Sequence, residues 1–182
     1  FSKDPAVQRF TVKQLQEKNH FMQCNPDKRD RYLLEHEFGH HIQHKLKEKR
    51  YQNTEEGNKL RKEAKVHYLK ALTAKAKNDG TEFNRQKFLF EDAHRFFDEK
   101  SNEYYINIAV DRYLKKKGIE NNTRNANKAI VDNTSEYGLA NINETFAEHW
   151  ASYRLNTENP NELSVEFGKV IEEHLEELNN GN

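Results

Sequence analysis

The sequence predicts a mainly α-helical single domain organised around two helices that face one another. Three observations carry this. Apolar residues recur at three- and four-residue spacing through most of the chain, the period of a helix with one buried face. Only residues 20–24 and 129–131 read as short strands, so little sheet is expected. Residues 34–44, Leu-Glu-His-Glu-Phe-Gly-His-His-Ile-Gln-His, and residues 136–150 each place metal-competent side chains at i and i+4, on one helix face.

Composition bounds the class. The chain has 182 residues, room for one domain with a real core. Its 30 basic and 30 acidic side chains cancel, which gives no support for nucleic acid as a partner. Charged residues are 33% and apolar ones 34%, so long solvated helix faces are expected, while 8 Tyr and 11 Phe supply a core that disordered chains lack. Cys24 is the single cysteine, so no internal disulfide can form and a nucleophilic role for it is not expected. No apolar run approaches the ~20 residues of a membrane span. The chain starts at Phe1 without a signal peptide and is expected to be part of a larger polypeptide.

Taken in order, residues 11–18 predict a short helix. His20-Phe21-Met22-Gln23-Cys24 predicts a strand stopped by Asn25-Pro26, either a core strand or an edge for an extended peptide. A helix over about 27–49 follows, with Leu34, Phe38 and Ile42 as its apolar stripe, about 200° from His36 and His40. Gly39 inside that helix costs about 1 kcal/mol against Ala, which implies a close neighbour. Asn53 and Glu56 read as a capping box for a helix bearing Leu60, Ala64, Tyr68 and Ala71, with Gly80 as its stop. A second stripe comprises Leu89, Ala93, Phe96 and Phe97. Ser101 then caps a helix carrying Ile106, Ala109, Val110 and Tyr113, closed by Gly118. Residues 119–136 read as Asn-rich loop around the 129–131 strand. The last two helices run over about 142–154 and from Asn159-Pro160 onward, the latter with Leu163, Phe167, Val170, Ile171, His174, Leu175 and Leu178 on one face.

His36, Glu37 and His40 form the pattern H-E-x-x-H. Two imidazoles at i and i+4 can reach one ion, and the glutamate between them can touch a water on it without being a ligand. That is the layout of a zinc hydrolase with a carboxylate general base. Such a site needs a third ligand. Glu144 and Glu148 share a face, with Phe146 and Trp150 roughly opposite. Glu144 can complete a two-His, one-Glu set and leave the fourth position to water. Glu148, one turn on, can accept the outer N–H of a ligand histidine. The bland alternative for both is a solvated helix glutamate. His41 and His44 read as helix surface, His149 faces away from Glu144, and His20, His67, His94 and His174 carry no partner pattern.

His36-Glu37-Phe38-Gly39-His40, together with Tyr137-Gly138, Asn141, Glu144 and Phe146-Ala147-Glu148, resembles the catalytic domain of anthrax lethal factor and its relatives, zinc endopeptidases of the thermolysin-like (gluzincin) superfamily. The likeness covers the metal helix and residues 137–150, covers the closing helix weakly, and does not extend over 45–130. It implies a zincin-like α+β fold with zinc on His36, His40 and Glu144, Glu37 as general base, and Tyr137 as the hydroxyl that steadies the oxyanion or protonates the leaving amine. A phenol is a donor at neutral pH, which is compatible with that role. Only 35 residues precede His36 and the His40–Glu144 interval is long, so a reduced sheet and a helical insertion over 45–130 are expected.

The expected function is zinc-dependent peptide-bond hydrolysis on a protein or peptide substrate. The alternative is a helical binding module whose zinc site is structural, closed by a fourth side chain such as His41 or His44, or has lost activity, in a toxin or phage-associated effector that is secreted or delivered by its parent.

Overall fold

A computed structural model describes residues 3–180, with the side chains of 51–53, 94 and 96–99 outside the description. It is mainly helical: seven α-helices and two 3-10 turns, with no strand among the described residues. The chain divides into two compact units, residues 1–45 with 102–182, and residues 46–101. Of the segment expected as a helical insertion over 45–130, residues 102–130 fall in the same unit as residues 1–45. No described helix is long and apolar enough to cross a membrane.

In the first unit, α1 (Pro5–Glu17) starts earlier than the apolar spacing suggests. Asp4 caps it by accepting from the Ala6 N–H at 2.9 Å and Pro5 opens its first turn, a start signal at the N terminus. Asn19, at φ 55°, turns the chain out of the helix in the left-handed region that asparagine tolerates. The expected strand at 20–24 does not form. Its backbone groups are taken by partners other than a neighbouring strand: Met22 N–H by the Glu148 carboxylate, Met22 C=O by the Gln16 amide and His20 C=O by Tyr137 N–H. A segment satisfied in this way has no ladder to join. Phe21 and Cys24 instead pack with Val12, Tyr32, Ala151 and Leu155 in one apolar cluster.

A 3-10 turn (Pro26–Arg31) leads into α2 (Tyr32–Asn53). Its buried face differs from the expected one. Leu34 is 67% exposed and Phe38 49%, whereas Tyr32, His36, Gly39, Ile42 and Gln43 are buried. The buried positions fall at three- and four-residue spacing through the motif itself, so the histidine side of α2 packs inward. Gly39 makes this possible: a Cβ there would lie 2.9 Å from the Ala147 backbone on α6 (Ile142–Leu155). We expect Gly39→Ala to destabilise the fold by about 2 kcal/mol, because overpacking against backbone, about 3 kcal/mol, exceeds the ~1 kcal/mol gained in helix propensity. Denaturant unfolding checks this, and an unchanged midpoint would mean that α2 and α6 can separate freely.

α4 (Gly80–Lys117) is one helix from end to end, so Gly80 begins a helix rather than stopping one and Ser101 lies buried inside it rather than capping it. Gly118, at φ 68°, closes it as expected. Residues Tyr105, Ile106, Ala109, Val110 and Leu114 of its last turns are buried. The expected loop and strand over 119–136 are mostly replaced by α5 (Thr123–Asn133), because Asn122 accepts from the Asn125 N–H and caps a helix there. A 3-10 turn (Gly138–Ala140) precedes α6, and Asn161 caps α7 (Glu162–Asn180) by accepting from Ser164 N–H. α6 is buried on nearly every side: Phe146 meets Phe167 of α7 edge-on at 4.8 Å and Tyr105 of α4 at 6.4 Å.

The second unit contains α3 (Glu55–Ala76) and the first half of α4. The cap of α3 is Thr54, which accepts from Gly57 N–H at 3.1 Å. The side chains of Asn53, Phe96 and Phe97 lie outside the described residues. Ala64, Ala71 and Ala74 form the buried side of α3, and His67 meets Gln86 of α4 at 2.7 Å.

Candidate metal centre

The site lies where α2 and α6 come closest, and each helix supplies one half. On α2, the i and i+4 spacing stands the His36 and His40 rings edge to face at 4.9 Å. On α6, Asn141 caps the helix by accepting from the N–H groups of Asn143 and Glu144, which fixes Glu144 in the first turn. His36 Nε2 is 3.1 Å and His40 Nε2 3.5 Å from the same oxygen, Glu144 Oε2. The ligand atoms of His36, His40 and Glu144 lie within 4.8 Å of one another, and this group can hold a metal ion.

The outer nitrogens are engaged as well. His36 Nδ1 sits 3.2 Å from Glu148 Oε1, a charge contact whose direction falls outside hydrogen-bond geometry. Glu148 is fully buried. Its carboxylate accepts from Met22 N–H at 2.7 Å, Tyr32 O–H at 2.8 Å and Ser135 O–H at 2.7 Å. Three donors make a buried carboxylate tolerable and hold it in place. Gly138 leaves room for it: a Cβ there would press on Thr134 and on the Glu148 stem. His40 Nδ1 meets Gln43 Oε1 at 3.0 Å.

Electrostatics favours a cation here. Burial works against a charge on His36, but Glu148, Glu144 and Glu37 together outweigh it and raise its pKa. Three carboxylates around two imidazoles suit a positive charge between them. Glu37 is exposed at the edge of the group, and its charge is felt by both His36 and Tyr137. The Tyr137 ring lies 5.8 Å from that of His36, and burial followed by the Glu144 charge raises its pKa. Of the six residues singled out from the sequence, His36, His40, Tyr137, Glu144 and Glu148 come together, and Glu37 lies near enough for its charge to reach His36 and Tyr137. His41 and His44 do not join the metal-competent group; His41 stacks on Phe38 at 6.0 Å.

Sequence reasoning passed over Tyr32, Ser135 and Gln43, which hold the outer side of the site. No spacing rule connects the first two to Glu148. Gln43 stands three residues after His40 on the same helix face, a signal that was legible.

His149 faces away from Glu144 as expected, but its partners were not foreseen. This ring is fully buried on the side of α6 toward α7, with Nδ1 2.8 Å from Ser164 Oγ and Nε2 3.0 Å from Thr134 Oγ1. Ser164 O–H donates to Asn161 Oδ1, so a neutral ring satisfies the set, with Nδ1–H donating to Ser164 and Thr134 O–H donating to Nε2. Burial lowers its pKa from 6.5 to about 4, with Glu148 only partly offsetting this. Between those values the unfolded chain binds a proton that the folded chain refuses. This contribution to stability is full above pH 6.5 and is lost as pH falls towards 4, by up to about 3 kcal/mol. Thermal unfolding between pH 7 and pH 4.5 is expected to show a steeper loss for the natural chain than for His149→Gln, and parallel curves would contradict a neutral buried ring.

Searches with the whole chain find no matching family model, no matching curated protein and no matching solved structure.

Proposed function

We propose that the chain is a zinc-dependent endopeptidase of the lethal factor-like kind, acting on a protein or peptide substrate. The observation that carries this is the convergence of His36 Nε2, His40 Nε2 and Glu144 Oε2 from two helices, with Glu37 beside them. Three protein ligands leave a position open for chemistry, whereas structural sites are closed by four, and neither histidine available as a fourth joins the group.

Zinc bound there would supply Lewis acidity to a carbonyl and lower the pKa of a water towards ~7. The remaining work falls to the chain's own side chains. Glu37, exposed to solvent, takes a proton from the attacking water and hands it to the leaving nitrogen. Tyr137 donates its hydroxyl hydrogen to the oxygen on which negative charge develops. Glu148 keeps His36 oriented. Segment 20–24 offers no strand edge at Met22, whose N–H and C=O are both taken, so substrate backbone is held by other groups.

Metal analysis together with a degenerate peptide library tests the reading. The natural chain should hold about one zinc and cleave peptides, as a three-ligand site implies. Glu144→Ala should lose most bound metal, and unchanged metal content would remove Glu144 from the ligand set. A chain that holds zinc and cuts nothing would sink the endopeptidase reading and favour the binding module.

A further inference from the structure

Gln43 links the two halves of the metal site. Gln43 is buried, 9% exposed, and its side chain reaches from α2 to the start of α6. Gln43 Nε2 faces the Asn143 backbone carbonyl and the Asn143 Oδ1, each at 3.4 Å. The backbone carbonyl can only accept, so the amide nitrogen of Gln43 must point to it. Gln43 Oε1 then points to His40, and the 3.0 Å contact requires the hydrogen on His40 Nδ1. That leaves the lone pair on Nε2, the atom directed at Glu144. Asn102 Nδ2 donates to the same Asn143 Oδ1 and so anchors the chain of amides from α4. Asn143 immediately precedes Glu144, so one glutamine ties a ligand of α2 to the residue beside the ligand of α6.

We propose that Gln43 is the positioning residue of this site: it sets the His40 tautomer and couples the two ligand-bearing helices, and it does so without charge. The neutrality has a consequence. His36 is backed by a carboxylate, Glu148, and His40 by an amide, so the ligand set is supported by one outer negative charge rather than two. A second outer carboxylate would strengthen metal binding and weaken the Lewis acidity that the site delivers. The proposal rests on the metal-site reading above, and its first readout needs no metal.

In the metal-free 182-residue protein, ¹⁵N–¹H correlation of the histidine rings should show His40 protonated at Nδ1. Gln43→Met, which keeps the length and loses the acceptor, should give a tautomer mixture at His40 and lower zinc affinity about 10- to 100-fold in competition with a chelating dye. Gln43→Glu keeps an acceptor for His40 but loses the donor to Asn143; it should keep the Nδ1–H tautomer and lose less zinc affinity than Gln43→Met, while lowering kcat more than it changes KM. A His40 ring protonated at Nε2 in the natural protein, or zinc affinity unchanged in Gln43→Met, overturns the proposal. If the natural protein shows the Nδ1–H tautomer but His36→Ala and Glu144→Ala leave zinc binding untouched, the metal-site reading fails and the role of Gln43 at His40 stands.

Discussion

Replacing Glu37 by Gln is expected to lower peptide hydrolysis by roughly a hundred- to ten-thousand-fold, the range for a lost general base, with zinc content unchanged. The geometry separates the two readouts. Glu37 is exposed at the edge of the site and is not among the three grouped ligand residues, so its loss leaves the donor set intact. Glutamine fills the same volume and cannot accept a proton at neutral pH. Loss of zinc in this variant would contradict a general-base role, and full activity would assign proton transfer to another group.

The second large effect is on Glu148. Glu148→Ala is expected to destabilise the fold by about 3–5 kcal/mol, the cost of breaking a buried charged network from one side. The Met22 N–H and the Tyr32 and Ser135 hydroxyls would each lose their acceptor inside the core, and His36 would lose the carboxylate beside Nδ1. Zinc affinity should fall about 10- to 100-fold as His36 loses orientation. Denaturant unfolding and dye competition read the two effects separately. A loss of stability below ~1 kcal/mol would mean that water replaces the carboxylate at all three donors, a substitution possible only at an open site.

These two residues show why the site was partly readable in one dimension. Helical spacing ties His36 to His40 and Glu144 to Glu148, because residues four apart share a face whatever the surrounding fold. No local rule reports that Met22, 126 residues before Glu148 in the chain, ends at that carboxylate. The same limit explains the strand expected at 20–24. Its side-chain types favour extended backbone, but a strand exists only with a neighbour, and here side chains and turns took the hydrogen bonds.

α2 gives the complementary lesson. Leu34, Phe38 and Ile42 form an apolar stripe by period alone, yet two of the three are exposed. The face that packs inward bears His36, Gly39 and Gln43, because Gly39 allows Ala147 to approach and the polar side chains are satisfied by α6. Gly39 itself carried the clue, since a glycine inside a helix costs stability unless something needs the space. Breaks were misplaced in α4 for a related reason: Gly80 and Ser101 suit helix ends, but Asp79 caps the helix just before Gly80 by accepting from Glu82 N–H, and Ser101 is buried within it.

The sequence by itself determined that the chain is mainly helical, that most of its helices stand near where they are found, and that His36, His40 and Glu144 can form a metal-competent group. Those properties depend on spacing and side-chain type, which are local. Only the tertiary structure decided which face of α2 is buried, that 20–24 is not a strand, and that Tyr32, Ser135, Met22 and Gln43 hold the outer side of the site. These depend on which distant groups arrive to satisfy a buried donor or charge, and a buried polar group takes whatever partner the packing brings.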